Sequence, residues 1–240
     1  MRTAGDDHDL LVATVDEPVR VTEELRPVVI ERLGPERQLV DFGQNLVGRV
    51  RLTARDARRG LRVTLRHGEM LDADSGIYTA NLRSAAATDI LICSGAATEA
   101  FEPRFTLHGF RYVEVTGLTA DLRSEDITAQ VVHSDTPWVG SFRCSDAEVQ
   151  QLQHNIVWGQ RGNFVSVPTD CPQRDERLGW LADAQVFLPT AAYNADVAAF
   201  FDKWLRDVRD AQSPEGAFTN VARGSPAWPT KAPRPGETRG

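Results

Sequence analysis

The chain changes its hydrophobic period once, and that change constrains the fold more than any other feature. From about Val19 to Val132 the apolar residues fall at every second position. Val50 and Leu52 alternate with Arg49, Arg51 and Thr53, and Leu61, Val63 and Leu65 alternate with Arg62, Thr64 and Arg66. Val113 and Val115 flank Glu114, and Ile90-Leu91-Ile92 is a short apolar run. Turn residues at Gly34-Pro35, Arg59-Gly60, Asp74-Ser75-Gly76 and Gly117 separate these runs. Alternation buries one face of a strand and exposes the other, so several short strands at this spacing predict an all-β sandwich. After Trp138 the period lengthens. Ser145-Asp146-Ala147-Glu148 has the pattern of a capping box, and Val149, Leu152, Ile156 and Val157 follow at helical spacing. Val197, Phe200, Phe201, Trp204, Leu205 and Val208 give another amphipathic helix. Between the two, a helix is expected to start near Pro172 and to end or kink at Pro189. Strands should therefore dominate residues 19–133, and helices should lie near 146–161, 173–188 and 195–211. Residues 1–18 read as a poorly ordered lead-in, and 134–223 as a second, helical domain. The stretch 224–240 carries four prolines and no apolar period, and reads as an irregular tail.

Composition removes several function classes. A net charge of −7 argues against nucleic acid and anionic membrane surfaces as partners. No run of eighteen apolar residues is present to span a bilayer, and Met1–Asp9 has no apolar signal core. Three widely spaced cysteines, Cys93, Cys144 and Cys171, suit reduced thiols in a cytoplasm, the expected location. No histidine or cysteine pair has metal-ligand spacing, and neither a nucleophile elbow nor a phosphate-cradling glycine loop occurs, so no metal or cofactor is expected. Asp72-Ala73-Asp74-Ser75-Gly76 begins like a calcium loop, lacks the later ligands, and reads as a turn. His108 reads as a hydrogen-bonded structural histidine.

One stretch is dense in chemistry. Residues 167–183 hold four carboxylates (Asp170, Asp175, Glu176 and Asp183), two arginines (Arg174 and Arg177) and the indole of Trp180. On the expected helix Glu176, Trp180 and Asp183 stand at i, i+4 and i+7, on one face. A carboxyl beside an indole and a second carboxyl can hold its proton near neutral pH and act as a general acid. The same residues also suit a charged helix start, with Asp175 and Glu176 favoured by the macrodipole and Trp180 in a core. Cys171, beside two aspartates, has its thiolate disfavoured and is not expected to be a nucleophile.

Asp170-Cys171-Pro172-Gln173-Arg174-Asp175-Glu176-Arg177-Leu178-Gly179-Trp180, with Asp183, closely resembles the active-site segment of bacterial α-L-rhamnosidases, glycoside hydrolase family 78. The resemblance extends to Asp41-Phe42-Gly43-Gln44-Asn45, Asn81-Leu82-Arg83-Ser84-Ala85, the run from Phe105 to Tyr112, and the run from Asn155 to Phe164. It implies a jelly-roll-like β-sandwich domain followed by the first helices of an (α/α)6 barrel. It implies an inverting hydrolase of terminal α-L-rhamnosides in which Glu176 is the general acid and Asp170, Arg174, Trp180 and Asp183 contact the rhamnose. The family's catalytic base is a glutamate in a later helix, and nothing in these 240 residues matches it. The chain is accordingly read as an internal piece truncated at both ends and inactive alone. The alternative is a non-catalytic remnant whose β-domain binds carbohydrate weakly. Helices cut from a closed barrel leave apolar faces uncovered, including parts of the Phe200, Phe201 and Trp204 surface, so self-association is expected.

Overall fold

A computed structural model describes residues 13–222. The irregular tail expected over 224–240 and most of the lead-in lie outside the described residues. Eight antiparallel strands form one continuous sheet: β1 Val19–Leu25, β2 Val29–Gly34, β3 Arg37–Arg55, β4 Arg62–Gly68, β5 Thr88–Ile92, β6 Thr98–Phe101, β7 His108–Thr116 and β8 Ile127–Ser134. The sheet is organised on the 19 residues of β3. One edge of β3 carries β2 and then β8; the other carries β7 and then β6. Outside these lie β1 against β8, and β4 then β5 beyond β7.

So long a strand holds together because it bends. Its register against β7 slips between Asp41 and Leu46, where Gly43 takes φ +71° and donates its N–H to the Asp41 carboxylate at 2.6 Å. Arg111 on β7 grips the same carboxylate through two bonds of 2.8 Å, holding Asp41 below the usual carboxylate range. The alternation read from the sequence is observed over Val50–Thr53 and Leu61–Arg66, but Glu114, between Val113 and Val115, is buried as well. Val50, Leu52, Val63, Leu65, Val113 and Val115 are fully buried, and the curled sheet closes on them with Phe42, Phe110 and Ile127. Of the Ile90-Leu91-Ile92 run only Leu91 faces inward.

Three helices follow: α1 Ala147–Asn163, α2 Leu181–Asn194 and α3 Ala198–Asp210. The cap of α1 is Asp146, not Ser145: its carboxylate accepts the N–H groups of Glu148 and Val149 at 2.9 and 3.1 Å. Near its end α1 rests on β3, where a Cβ added at Gly162 would stand 2.9 Å from Val47. Phe164, Phe200, Phe201, Trp204 and Val208 then form a second core with small residues of α2. Phe164 stacks on Phe200 at 4.6 Å between centroids, and burying a ring the size of Phe200 contributes roughly 1.5–3 kcal/mol. Phe200, Phe201 and Trp204 are thus covered by their own chain, contrary to the expectation that part of their surface stands open. Pro189 neither starts nor ends a helix; α2 runs five residues past it. Among the described residues no helix is long and apolar enough to cross a membrane.

Candidate active site

The helix expected over 173–188 begins eight residues late, and residues 169–178 form a loop. Glu176, Trp180 and Asp183 therefore do not share a helix face: Glu176 lies in the loop, Trp180 in a two-residue strand, and Asp183 in the first turn of α2. The cause is visible in where the loop's polar groups go. Asp170 donates its N–H to the carbonyl of Leu178 at 3.2 Å, and its carboxylate accepts the N–H of Leu178 at 3.4 Å. Arg177 sits at φ +42°, outside the right-handed helical region, and its guanidinium donates to the carbonyl of Leu107 at 2.9 Å. Asp175 accepts from the N–H and hydroxyl of Ser84, and the hydroxyl bond holds Asp175 below the usual carboxylate range. Glu176 pairs with Arg83 at 3.0 Å. Three consecutive side chains thus reach the strand domain, whereas on a helix successive residues point about 100° apart.

Within the loop Arg174 is the hub. It places one nitrogen 2.8 Å from Glu176 Oε2 and 3.7 Å from Asp170 Oδ2, and donates Nε–H to Cys171 Sγ at 2.9 Å. Cys171 in turn donates to Asp170 Oδ2 at 2.8 Å. Burial, then the bond to Asp170, pushes the Cys171 thiol up to about 12, in keeping with a structural rather than a nucleophilic thiol. Oxygens of Asp170 and Glu176 and the sulfur of Cys171 lie within 4.8 Å of one another. A guanidinium already stands among them, so this cluster offers a cation no open place.

Asp170 is shared with a cavity of about 550 Å³, lined also by Asp183, Phe187, Ile156, Phe164 and Thr169. The structure therefore brings Asp170, Arg174 and Glu176 together directly and places Asp183 with Asp170 on this cavity, which Arg174, Glu176 and Trp180 do not line. Trp180 closes the far end of the loop, where Gly179–Trp180 pairs with Val221–Ala222. Its sequence neighbour Gly179 packs against the buried Trp204, leaving no room there for a Cβ. Arg83, Ser84 and the Leu107 carbonyl are partners that composition and spacing gave no means to find. The one signal was that Asn81–Ala85 and Phe105–Tyr112 belong to the resemblance.

Two domain models match in series: the bacterial alpha-L-rhamnosidase concanavalin-like domain over residues 31–133, and the bacterial alpha-L-rhamnosidase 6 hairpin glycosidase domain over residues 137–237. An alpha-L-rhamnosidase of Streptomyces avermitilis is 51% identical over 91% of this chain, and one of Formosa agariphila is 43% identical over 85%. The chain spans 21% and 23% of these relatives' lengths. Among solved structures, the alpha-L-rhamnosidase of Dictyoglumus thermophilum superposes with a TM-score of 0.88 at 39% identity, over 92% of this chain and 25% of that one. The Streptomyces avermitilis enzyme, complexed with L-rhamnose, gives 0.86 at 51% identity over 90% of this chain and 21% of that one.

Proposed function

Since the chain belongs to the bacterial α-L-rhamnosidases, we propose that it carries the acid half of a rhamnoside-hydrolysing site, with Glu176 as the general acid. Glu176 gives its proton to the glycosidic oxygen as the bond to the rhamnose C1 breaks, and the aglycone leaves as an alcohol. A water activated by a second carboxylate attacks the opposite face, inverting the configuration. Asp170, Arg174 and Asp183 hold the sugar's hydroxyls, and Trp180 offers an apolar wall for its ring and methyl group. The three helices are the first of the helical hairpins that complete the pocket.

The observation that carries this reading is the clamp on Glu176. Arg83 from the strand domain and Arg174 from the loop both hold its Oε2, so the carboxyl is fixed where a leaving oxygen can meet it. Asp170 is a binding residue and not the base, because its carboxylate approaches Glu176 within 4.8 Å. An inverting pair stands roughly 6.5–9.5 Å apart to admit water. We place the base in a later helix, as the resemblance implies, and on that reading the chain alone should release no p-nitrophenol from p-nitrophenyl α-L-rhamnoside. In a complete relative, changing the residue aligned with Glu176 to Gln should lower kcat by about 10²–10⁴-fold. Robust turnover by this chain alone, or an unaffected Glu→Gln relative, would each overturn the assignment.

A further inference from the structure

Away from the loop, three titratable side chains meet on adjacent strands: His67 on β4, Asp89 on β5 and His108 on β7. One ligand atom from each lies within 4.8 Å of the other two. His108 Nε2 is 3.1 Å from both Asp89 oxygens, and His67 Nε2 is 3.9 Å from one of them. The two imidazoles stack with centroids 4.2 Å apart and planes 23° from parallel. His67 is wholly buried. Its Nδ1 lies 3.0 Å from the carbonyl of Ala87, which makes Nδ1 the protonated nitrogen and Nε2 a lone pair. That lone pair has no hydrogen-bond partner, an expense a buried polar atom seldom carries without a purpose.

We propose that His67, Asp89 and His108 bind a divalent cation of the zinc class, which staples β7, β4 and β5 beneath the active-site loop. Two imidazoles and a carboxylate are donors such an ion prefers. Bonds of about 2.0–2.1 Å in tetrahedral geometry place ligand atoms ~3.3 Å from one another, so contacts of 3.1 and 3.9 Å need only small adjustment. The bond from His67 Nδ1 to a backbone carbonyl is the support a metal-bound imidazole usually has. On binding, His108 shifts its proton from Nε2 to Nδ1, so that Nε2 can ligate; no proton is gained or lost. Asp89, with its side chain 11% exposed, is the most open of the three. Leu107, whose carbonyl accepts from Arg177, immediately precedes His108 in the chain, which ties the staple to the loop.

The test is a metal count on the whole 240-residue chain. Chelator-treated protein is dialysed against Zn²⁺ alone near neutral pH, and bound zinc is measured by atomic emission, with Co²⁺ as the optical probe. One zinc per chain is expected, with Co²⁺ ligand-field bands and no thiolate charge-transfer band. Asp89→Asn keeps an acceptor for His108 but loses the carboxylate, and should weaken binding more than about 100-fold while the far-ultraviolet dichroism stays unchanged, since losing even an outer partner costs ~10–100-fold. Cys171→Ser should bind as the parent does. No zinc on the parent chain, a thiolate band, loss of zinc in Cys171→Ser, or full binding by Asp89→Asn would each overturn the proposal. Should Asp89→Asn misfold, the Co²⁺ spectrum of the parent chain decides alone.

Discussion

Arg83 shows how much a single side chain outside the obvious motif can matter. It stands at φ +56°, a left-handed position a non-glycine residue rarely takes, and from there its guanidinium crosses to Glu176. Removing it should loosen the clamp without unfolding anything, because the side chain is half exposed. The thiols give a second prediction at this scale. Cys144 is exposed, whereas Cys93 and Cys171 are buried and both titrate above the ordinary thiol, chiefly through burial. At pH about 8 the native chain should react with one equivalent of a disulfide reagent quickly, and with the other two only on unfolding. Two fast thiols would mean that the Cys171–Asp170–Arg174 network is not closed. Asp170, Arg174 and Glu176 could be singled out from the sequence because their spacing is short and their chemistry dense. The partner of Glu176 could not, since Arg83 is 93 residues away and only the folded sheet brings it near.

At the scale of elements, the strands were legible and the loop was not. Period-two burial survives folding where a strand has one buried face, as β4 and the second half of β3 show, whereas β7 is buried on both sides of Val113–Val115, Glu114 included. The charges of 174–177 are equally compatible with a helix start, and what decides against one is the set of bonds to Arg83, Ser84 and Leu107. Those contacts depend on close approach: a Cβ on Gly109 would stand 2.8 Å from the Cβ of Gln173. Gly109→Ala should therefore lift the loop from β7, costing about 1–3 kcal/mol as overpacking does, while strand dichroism remains. A variant melting within a degree of the parent would show that the loop does not rest there. The buried histidines make a separate claim about pH. His67 is held near 3, well below its ordinary 6.5, by burial first and by His108 second, and burial also lowers His133. Below about pH 6.5 the unfolded chain takes up protons that the folded chain refuses, so this stability is full above 6.5 and is lost as pH falls toward 3. In metal-free protein the melting temperature should fall between pH about 7 and 5, and less steeply in His67→Gln. A flat profile would count against a neutral, buried His67.

For the molecule as a whole, the exposed apolar surface is not where the sequence placed it. Phe200, Phe201 and Trp204 are inside, because α3 packs its apolar face on Phe164 and α2. What stands open is the outer side of the helices: Val186 is 77% exposed and Tyr193 81%, with Leu188 between them and Leu152 on α1 also outside. α2 is mostly apolar along its 14 residues, with Asp183, Gln185, Thr190 and Asn194 its polar positions, and a helix so rich in apolar residues is normally covered on more than one side. Charge does little to protect this face, since Asp183 is the only acidic or basic residue in α2. The 240-residue chain should therefore self-associate through α2, as sedimentation velocity at rising concentration would reveal. Val186→Lys together with Tyr193→Lys should restore a monomer with unchanged dichroism, because neither side chain reaches a core. A parent chain that sediments as a single monomer at every concentration would mean that α2 tolerates water on that side, and the self-association argued from its exposed apolar residues would be wrong.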